Sequence, residues 1–303
     1  MRPILIQALS FLMVILITYF FKSLGILEKS DGNVVSTLIL NLTLPATIVL
    51  GFQSVTISRI LLIMIALGIF MNLFLVFIGG SFWRNKKPNE QALMMFGQGG
   101  YNIGNFVIPF VQGFFPEAIP FIGSFDTGNA LMLFGGNSIL IDKMLGQVEK
   151  KPSLKDTISK LFQSPPFVTY LFMIILAVFN LSLPETLLSV LELFSSANSF
   201  LAMAMIGLFL EVDLPKSDFK KVAEILLTRY SFGIAFALFF YFVTPFPDTI
   251  RLALVILSLA PIATVSTINM IDYKNKEEIS GFLSSVSILI SLVLIITALS
   301  FII

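Results

Sequence analysis

The sequence predicts an all-α polytopic membrane protein: ten transmembrane helices in two inverted five-helix repeats, with helices four and nine broken and crossing. Three observations carry that expectation. The 303 residues are 56% hydrophobic and only 12% charged, with a mean hydropathy of +0.95, values well outside those of ordinary soluble domains. Ten apolar stretches have the reach of about 20 residues that a bilayer core requires. Lys and Arg segregate between alternate connections, fifteen in one set and three in the other, with Arg229 inside a span.

The spans run approximately from Pro3 to Phe21, Asn33 to Phe52, Ile57 to Phe82, Gln91 to Phe114, Ala118 to Ile141, Pro166 to Leu181, Glu185 to Leu210, Phe219 to Val243, Thr249 to Ile271 and Ile279 to Ile303. The first apolar run is long for a secretory signal, and no small-x-small cleavage site follows it, so it reads as a helix that stays. Because cytoplasmic loops are enriched in Lys and Arg, the charge segregation puts both termini outside a plasma membrane and agrees with an even number of spans. The segment from Asp142 to Pro165 separates two groups of five. Residues 1–141 are then a first repeat, 142–165 a cytoplasmic linker and 166–303 a second repeat of inverted topology. Within the linker, Lys150 to Phe162 spaces Leu154, Ile158 and Leu161 as an amphipathic surface helix with lysines that meet anionic lipid. Trp83 beside Arg84 reads as an interfacial anchor, and Arg229 as a side chain that snorkels to the cytoplasmic face. Glu192 reads as interfacial too.

The fourth span contains Gly97 to Phe114, reading GQGGYNIGNFVIPFVQGF. Glycines are costly in a helix interior, and proline removes a donor and clashes with the carbonyl four residues back, so a break is expected just before Pro109. The ninth span, with LSLAPIATVSTINMI, should break near Pro261. Broken helices at membrane depth survive only inside protein or beside a water-filled cavity. A matching pair of them in two halves of a chain marks a binding site at the midplane.

Asn41-Leu-Thr-Leu-Pro45-Ala46, Asn102-x-Gly104-x-x-x-x-Pro109, Gln163-Ser-Pro165-Pro166, Gly207-Leu-x-Leu210 and Ala260-Pro261-x-Ala263 occur in order along the chain. This ordered set resembles the auxin efflux carrier family, whose bacterial members include putative malate and malonate permeases. The resemblance implies inverted five-helix repeats, unwound and crossing spans four and nine, and a scaffold unit that moves against a transport unit. Two features depart from the plant-type pattern. Ser266 stands where an asparagine is expected after the crossover proline, and a short Lys-rich linker replaces the long soluble loop. Auxin itself is therefore a poor guess for the substrate.

The expected substrate-binding residues are Asn102, Gly104, Asn105 and Pro109 from the fourth span, and Pro261, Thr264, Ser266 and Asn269 from the ninth, with Asn41 behind them. Amides beside a glycine break offer donors and acceptors without a charge to desolvate, and a half-helix N-terminus suits a carboxylate. The alternative for the amides is capping of helix ends or bridging between spans. The alternative for the hydroxyls, Thr267 among them, is a bond back to the preceding turn. Asp126 is the one carboxylate expected within the bilayer core, on one helix face with Asn129 and Asn137, and is the coupling candidate. Its alternative is a wet acid near the interface. The serine stripe Ser280, Ser284, Ser287 and Ser291 reads as close helix packing, and Asn198 and Ser199 as secondary candidates facing the crossing or Asn41 and Pro45.

The expected function is a secondary active transporter, a permease or efflux carrier of a small organic anion, most simply a carboxylate, coupled to protons or sodium or to neither. The competing readings are a cation-coupled exchanger of related fold, which calls for an acid pair at the crossing, and a membrane sensor binding a lipid or sterol, which calls for a signalling domain. No Cys and no His occur, which removes thiolate nucleophiles, imidazole bases and the usual zinc ligands. An enzyme, a metal site and a cofactor are thus not expected. Neither is a nucleic-acid partner, given a net charge of +1. A homodimer is compatible with the sequence.

Overall fold

A computed structural model describes residues 2–53, 55, 58–146, 154–211, 213, 218–273, 275 and 277–302. Among them the regular structure is helical, apart from one isolated antiparallel β-bridge between Tyr101 and Ile262. The helices are α1 (Arg2–Ser23), α2 (Asp31–Phe52), α3 (Arg59–Phe82), α4 (Pro88–Gln98), α5 (Ile103–Gln112), α6 (119–145), α7 (Leu154–Phe162), α8 (Pro165–Val178), α9 (Glu185–Phe209), α10 (Phe219–Phe242), α11 (Asp248–Ser258), α12 (Thr264–Asp272) and α13 (Glu277–Ile302). Six of these, α1, α2, α3, α9, α10 and α13, are long and apolar enough to cross a bilayer by themselves. They also present large apolar side chains outward. Leu9, Met13, Leu62, Leu193, Leu227 and Phe242 are all exposed, a surface suited to lipid and too apolar for water. The protein is a multi-pass membrane protein.

Two helices are interrupted. The chain leaves α4 at Gly99 and re-enters helix at Ile103 as α5, and it leaves α11 at Leu259 and re-enters at Thr264 as α12. The first interruption lies seven to ten residues earlier than the expected position before Pro109. Gly100 causes it: its φ of +89° belongs to the left-handed region, which costs glycine nothing and other residues strain. Pro109 is instead accommodated. Ile103–Val107 forms a π-turn in which Ile108 N–H bonds Ile103 five residues back, and this wider turn relieves the clash a proline ring meets in a regular helix. Pro45 is carried identically, after a π-turn at Ile39–Thr43.

α1, α2, α8 and α9 pack chiefly on one another, whereas α3, α6, α10, α13 and the interrupted pair form a second group. Small residues draw helices together, as expected where lipid gives no hydrophobic drive between them. A Cβ on Gly68 would lie 2.3 Å from the carbonyl oxygen of Phe125, and one on Gly128 would lie 2.1 Å from that of Ile65. α3 and α6 are therefore in backbone contact.

α7 meets α8 at 81°. The turn falls at Ser164, extended with ψ 108°, because the residue before a proline avoids helical angles. Thr157 and Leu161 are buried, Leu161 against Ala130 and Phe167, while Ile158 and Phe162 are exposed with Lys155 and Lys160. The remainder of the expected amphipathic stretch, Lys150 to Ser153, lies outside the described residues. Trp83 is not an interfacial anchor. It is 7% exposed and packs in a cluster with Met95, Ile141 and Ile225, because α3 ends against α4 and its neighbours rather than facing lipid.

Gly128→Ala is expected to cost about 1–3 kcal/mol, the usual range for overpacking, since its new methyl group meets backbone rather than a movable side chain. A melting temperature in detergent equal to wild type would contradict this packing.

Candidate functional site

At the crossing, two interrupted chain segments run past each other. Asn102 N–H donates to Pro261 O at 2.9 Å beside the Tyr101–Ile262 bridge. A segment without helical bonds exposes donors and acceptors that lipid cannot satisfy, so the destination of each group matters.

The donors are taken up by side chains of neighbouring helices. Gly100 N–H donates to Asn72 Oδ1 at 2.7 Å, Tyr101 N–H to Asn129 Oδ1 at 3.1 Å, and Ile262 N–H to Ser287 Oγ at 3.1 Å. Asn129 Nδ2 returns to Tyr101 O at 2.9 Å, and Asn72 and Asn129 bond each other at 3.1 Å. All three side chains are fully buried. The serine stripe thus does more than permit close packing: Ser287 caps the second interruption and Ser291 bonds Tyr230 OH at 2.8 Å.

The acceptors converge on Arg229, which donates to Gln98 O at 2.6 Å, Gly100 O at 2.9 Å, Ala260 O at 3.0 Å, and Gly97 O and Pro261 O at 3.2 Å. Ser266 Oγ–H takes the remaining Gly99 O at 2.9 Å. Arg229 therefore does not snorkel. It is 3% exposed, held because the carboxyl-terminal ends of α4 and α11 both point at it and their dipoles favour a cation. Its guanidinium also lies 5.1 Å from the centre of the Tyr101 ring.

The amino-terminal ends of α5 and α12 face elsewhere. Together with α2, α6 and the start of α8 they line a cavity of about 110 Å³, whose lining includes Tyr101, Asn102, Asn105, Asp126, Tyr170 and Thr264. Asp126 accepts from Asn129 Nδ2 at 3.0 Å and from Tyr170 OH at 3.2 Å. It is half-buried in the wall. Two of the residues that line the cavity each carry a buried polar atom without a hydrogen-bond partner, Tyr101 OH and Asn105 Oδ1. Such groups are costly unless something binds them.

Of the residues singled out from sequence, Asn102, Gly104, Asn105, Asp126 and Thr264 line this one cavity. Pro261 contributes its carbonyl to the crossing, and Ser266 is buried against Gly99. Asn269 lies farther along α12 and does not line the cavity, nor does Pro109, whose carbonyl accepts from Ser199 Oγ at 2.7 Å. Asn198 joins Thr43 and Gln112 at 2.9 and 3.2 Å, tying α9 to α2 and α5. Asn41 bonds its own helix at Thr37 O and lines a separate, mostly apolar cavity of about 380 Å³ among α2, α8 and α9. Arg229, Asn72, Tyr101 and Tyr170 were not among the expected site residues. The signal for the first two was in the sequence, since a charge or an amide within an apolar span usually has work to do.

No family model matches the chain, and no curated protein matches it.

Asn129→Ala would leave Tyr101 N–H buried and unpaired and its carbonyl with the Ile103 N–H alone, while freeing Asp126 of one donor. The expected loss is about 1–3 kcal/mol, from one backbone donor left buried and unpaired. Thermal unfolding of the purified variant in detergent checks it, and a loss under ~1 kcal/mol would mean that water satisfies these groups.

Proposed function

We propose that the protein is a secondary active transporter of a small organic anion, a carboxylate, which binds where α5 and α12 begin and is moved by alternating access. One observation carries this reading: the amino-terminal ends of two helices and the neutral side chains Asn102, Asn105 and Thr264 line a single cavity beside a helix crossing. The first N–H groups of a helix have no partner within it and bear partial positive charge, so a paired set of such ends favours a carboxylate. Asn105 and Thr264 add neutral contacts. At roughly 30 Å³ per water molecule, the cavity in this conformation suits a ligand of only a few non-hydrogen atoms.

The motif likeness to the auxin efflux carrier family supports the same function. Within that reading the chain forms ten spans, α4 with α5 making the fourth and α11 with α12 the ninth, both termini lie outside, and the halves are inverted repeats. The recurrence of one arrangement in each half supports the repeat. A long helix (α3 or α10) supplies a polar clamp, Asn72 or Arg229, and the helix after the break (α6 or α13) supplies a cap, Asn129 or Ser287. The preferential packing of α1, α2, α8 and α9 on one another supports a scaffold against which the crossing unit moves. Asp126, in the cavity wall, is the group whose protonation couples substrate to protons.

Uptake and counterflow of a panel of small carboxylates into proteoliposomes, under imposed proton or sodium gradients, tests the function; absence of saturable uptake for every member in either gradient direction argues against it. Asn105→Ala is expected to raise the KM about tenfold, one hydrogen bond to a charged ligand, with normal expression. Unchanged kinetics would remove this residue from the site. Asp126→Asn is expected to abolish acceleration of uptake by an inward proton gradient while leaving counterflow. A variant still driven by that gradient would assign coupling elsewhere.

A further inference from the structure

The five carbonyl oxygens that converge on Arg229 belong to residues at the ends of two separate helices: Gly97 and Gln98 closing α4 with Gly100 just beyond it, and Ala260 and Pro261 after α11. Uncharged oxygens gathered from helix carboxyl-terminal ends form the kind of cage in which a hard monovalent cation is coordinated. Here the cage holds a side chain. Among the described residues no carboxylate lies within salt-bridge distance of Arg229. Its charge is balanced by carbonyl dipoles and the face of the Tyr101 ring, which is how a bound metal ion would be balanced, and a structural arginine is more often paired with an acid.

We propose that Arg229 is a tethered resident cation. Its guanidinium fills a carbonyl cage that would otherwise take an alkali-metal ion, so the crossing is electrostatically complete with no ion bound, and truncating the side chain opens a cation site. The planar fork reaches carbonyls of both helices at once, from Gln98 to Ala260, so it also joins the two interruptions into one unit. Coupling of any movement to sodium at this point is thereby precluded. The inference concerns charge balance and stands apart from the transport reading, because none of its readouts uses a substrate.

The test is thermal unfolding of the full-length protein in a neutral detergent, in choline chloride, sodium chloride, potassium chloride or added guanidinium chloride at one ionic strength. Arg229→Ala is expected to melt about 10 °C below wild type in choline, the shift expected for an uncompensated buried site. Low millimolar guanidinium, or sodium or potassium, should restore it in a saturable manner. Wild type and Arg229→Lys, which keeps a cation in the cage, should be indifferent to the choice of salt. An Arg229→Ala protein that responds to no small cation overturns the proposal. So does a wild-type melting temperature that differs between sodium, potassium and choline, a measurement that requires no variant to fold.

Discussion

Peptide groups released from helical bonding inside an apolar environment must find partners within the protein, and the rest of this structure depends on how that is done at the crossing. An unmet buried amide or carbonyl costs about 1–3 kcal/mol, and the two interruptions release many at once. Their partners come from different helices: Asn72 from α3, Asn129 from α6, Arg229 from α10, and Ser287 from α13. Backbone pairing across the crossing is confined to the Tyr101–Ile262 bridge and its Asn102 to Pro261 bond. The crossing is thus complete only when four surrounding helices are in place.

The two sides of the crossing differ in sign. Helix ends α4 and α11 present carbonyls, and a permanent cation meets them; α5 and α12 present N–H groups on the cavity side. Asp126 is engaged by Asn129 and Tyr170 in the cavity wall. The amino-terminal ends of α5 and α12 thus line the cavity together with this carboxylate. Tyr101 takes part in both sides: its ring lies against Arg229, and the residue is among those lining the cavity.

Prolines and glycines have separate duties here. Pro45 and Pro109 sit just after π-turns, so their helices continue through them with a widened turn. Gly100 breaks the helix outright through a left-handed φ, while a Cβ there would also fall 2.3 Å from Ser266 Oγ. Gly68 and Gly128 let α3 and α6 touch backbone to backbone, and that contact sets Asn72 and Asn129 close enough to bond each other. Close helix packing is what brings the caps to the interruption.

The membrane character, the helical class, the interruption near Pro261 and the cavity residues Asn102, Asn105 and Asp126 were legible in the chain, because hydropathy and backbone propensity are local properties that spans of about 20 residues express without help. The first break could not be placed from sequence, since glycine and proline both disfavour a regular helix and only the surrounding packing decides which yields and which is absorbed by a wider turn. The role of Arg229 was equally hidden. A lone arginine two turns into an apolar span reads as snorkelling until the carbonyls of Gln98 and Ala260, some 130 and 30 residues away in sequence, are brought within hydrogen-bond distance of it. Sequence determined that backbone groups would be freed within apolar segments; tertiary structure alone decided which side chains receive them, because hydrogen bonding depends on distances of about 3 Å that no sequence separation encodes.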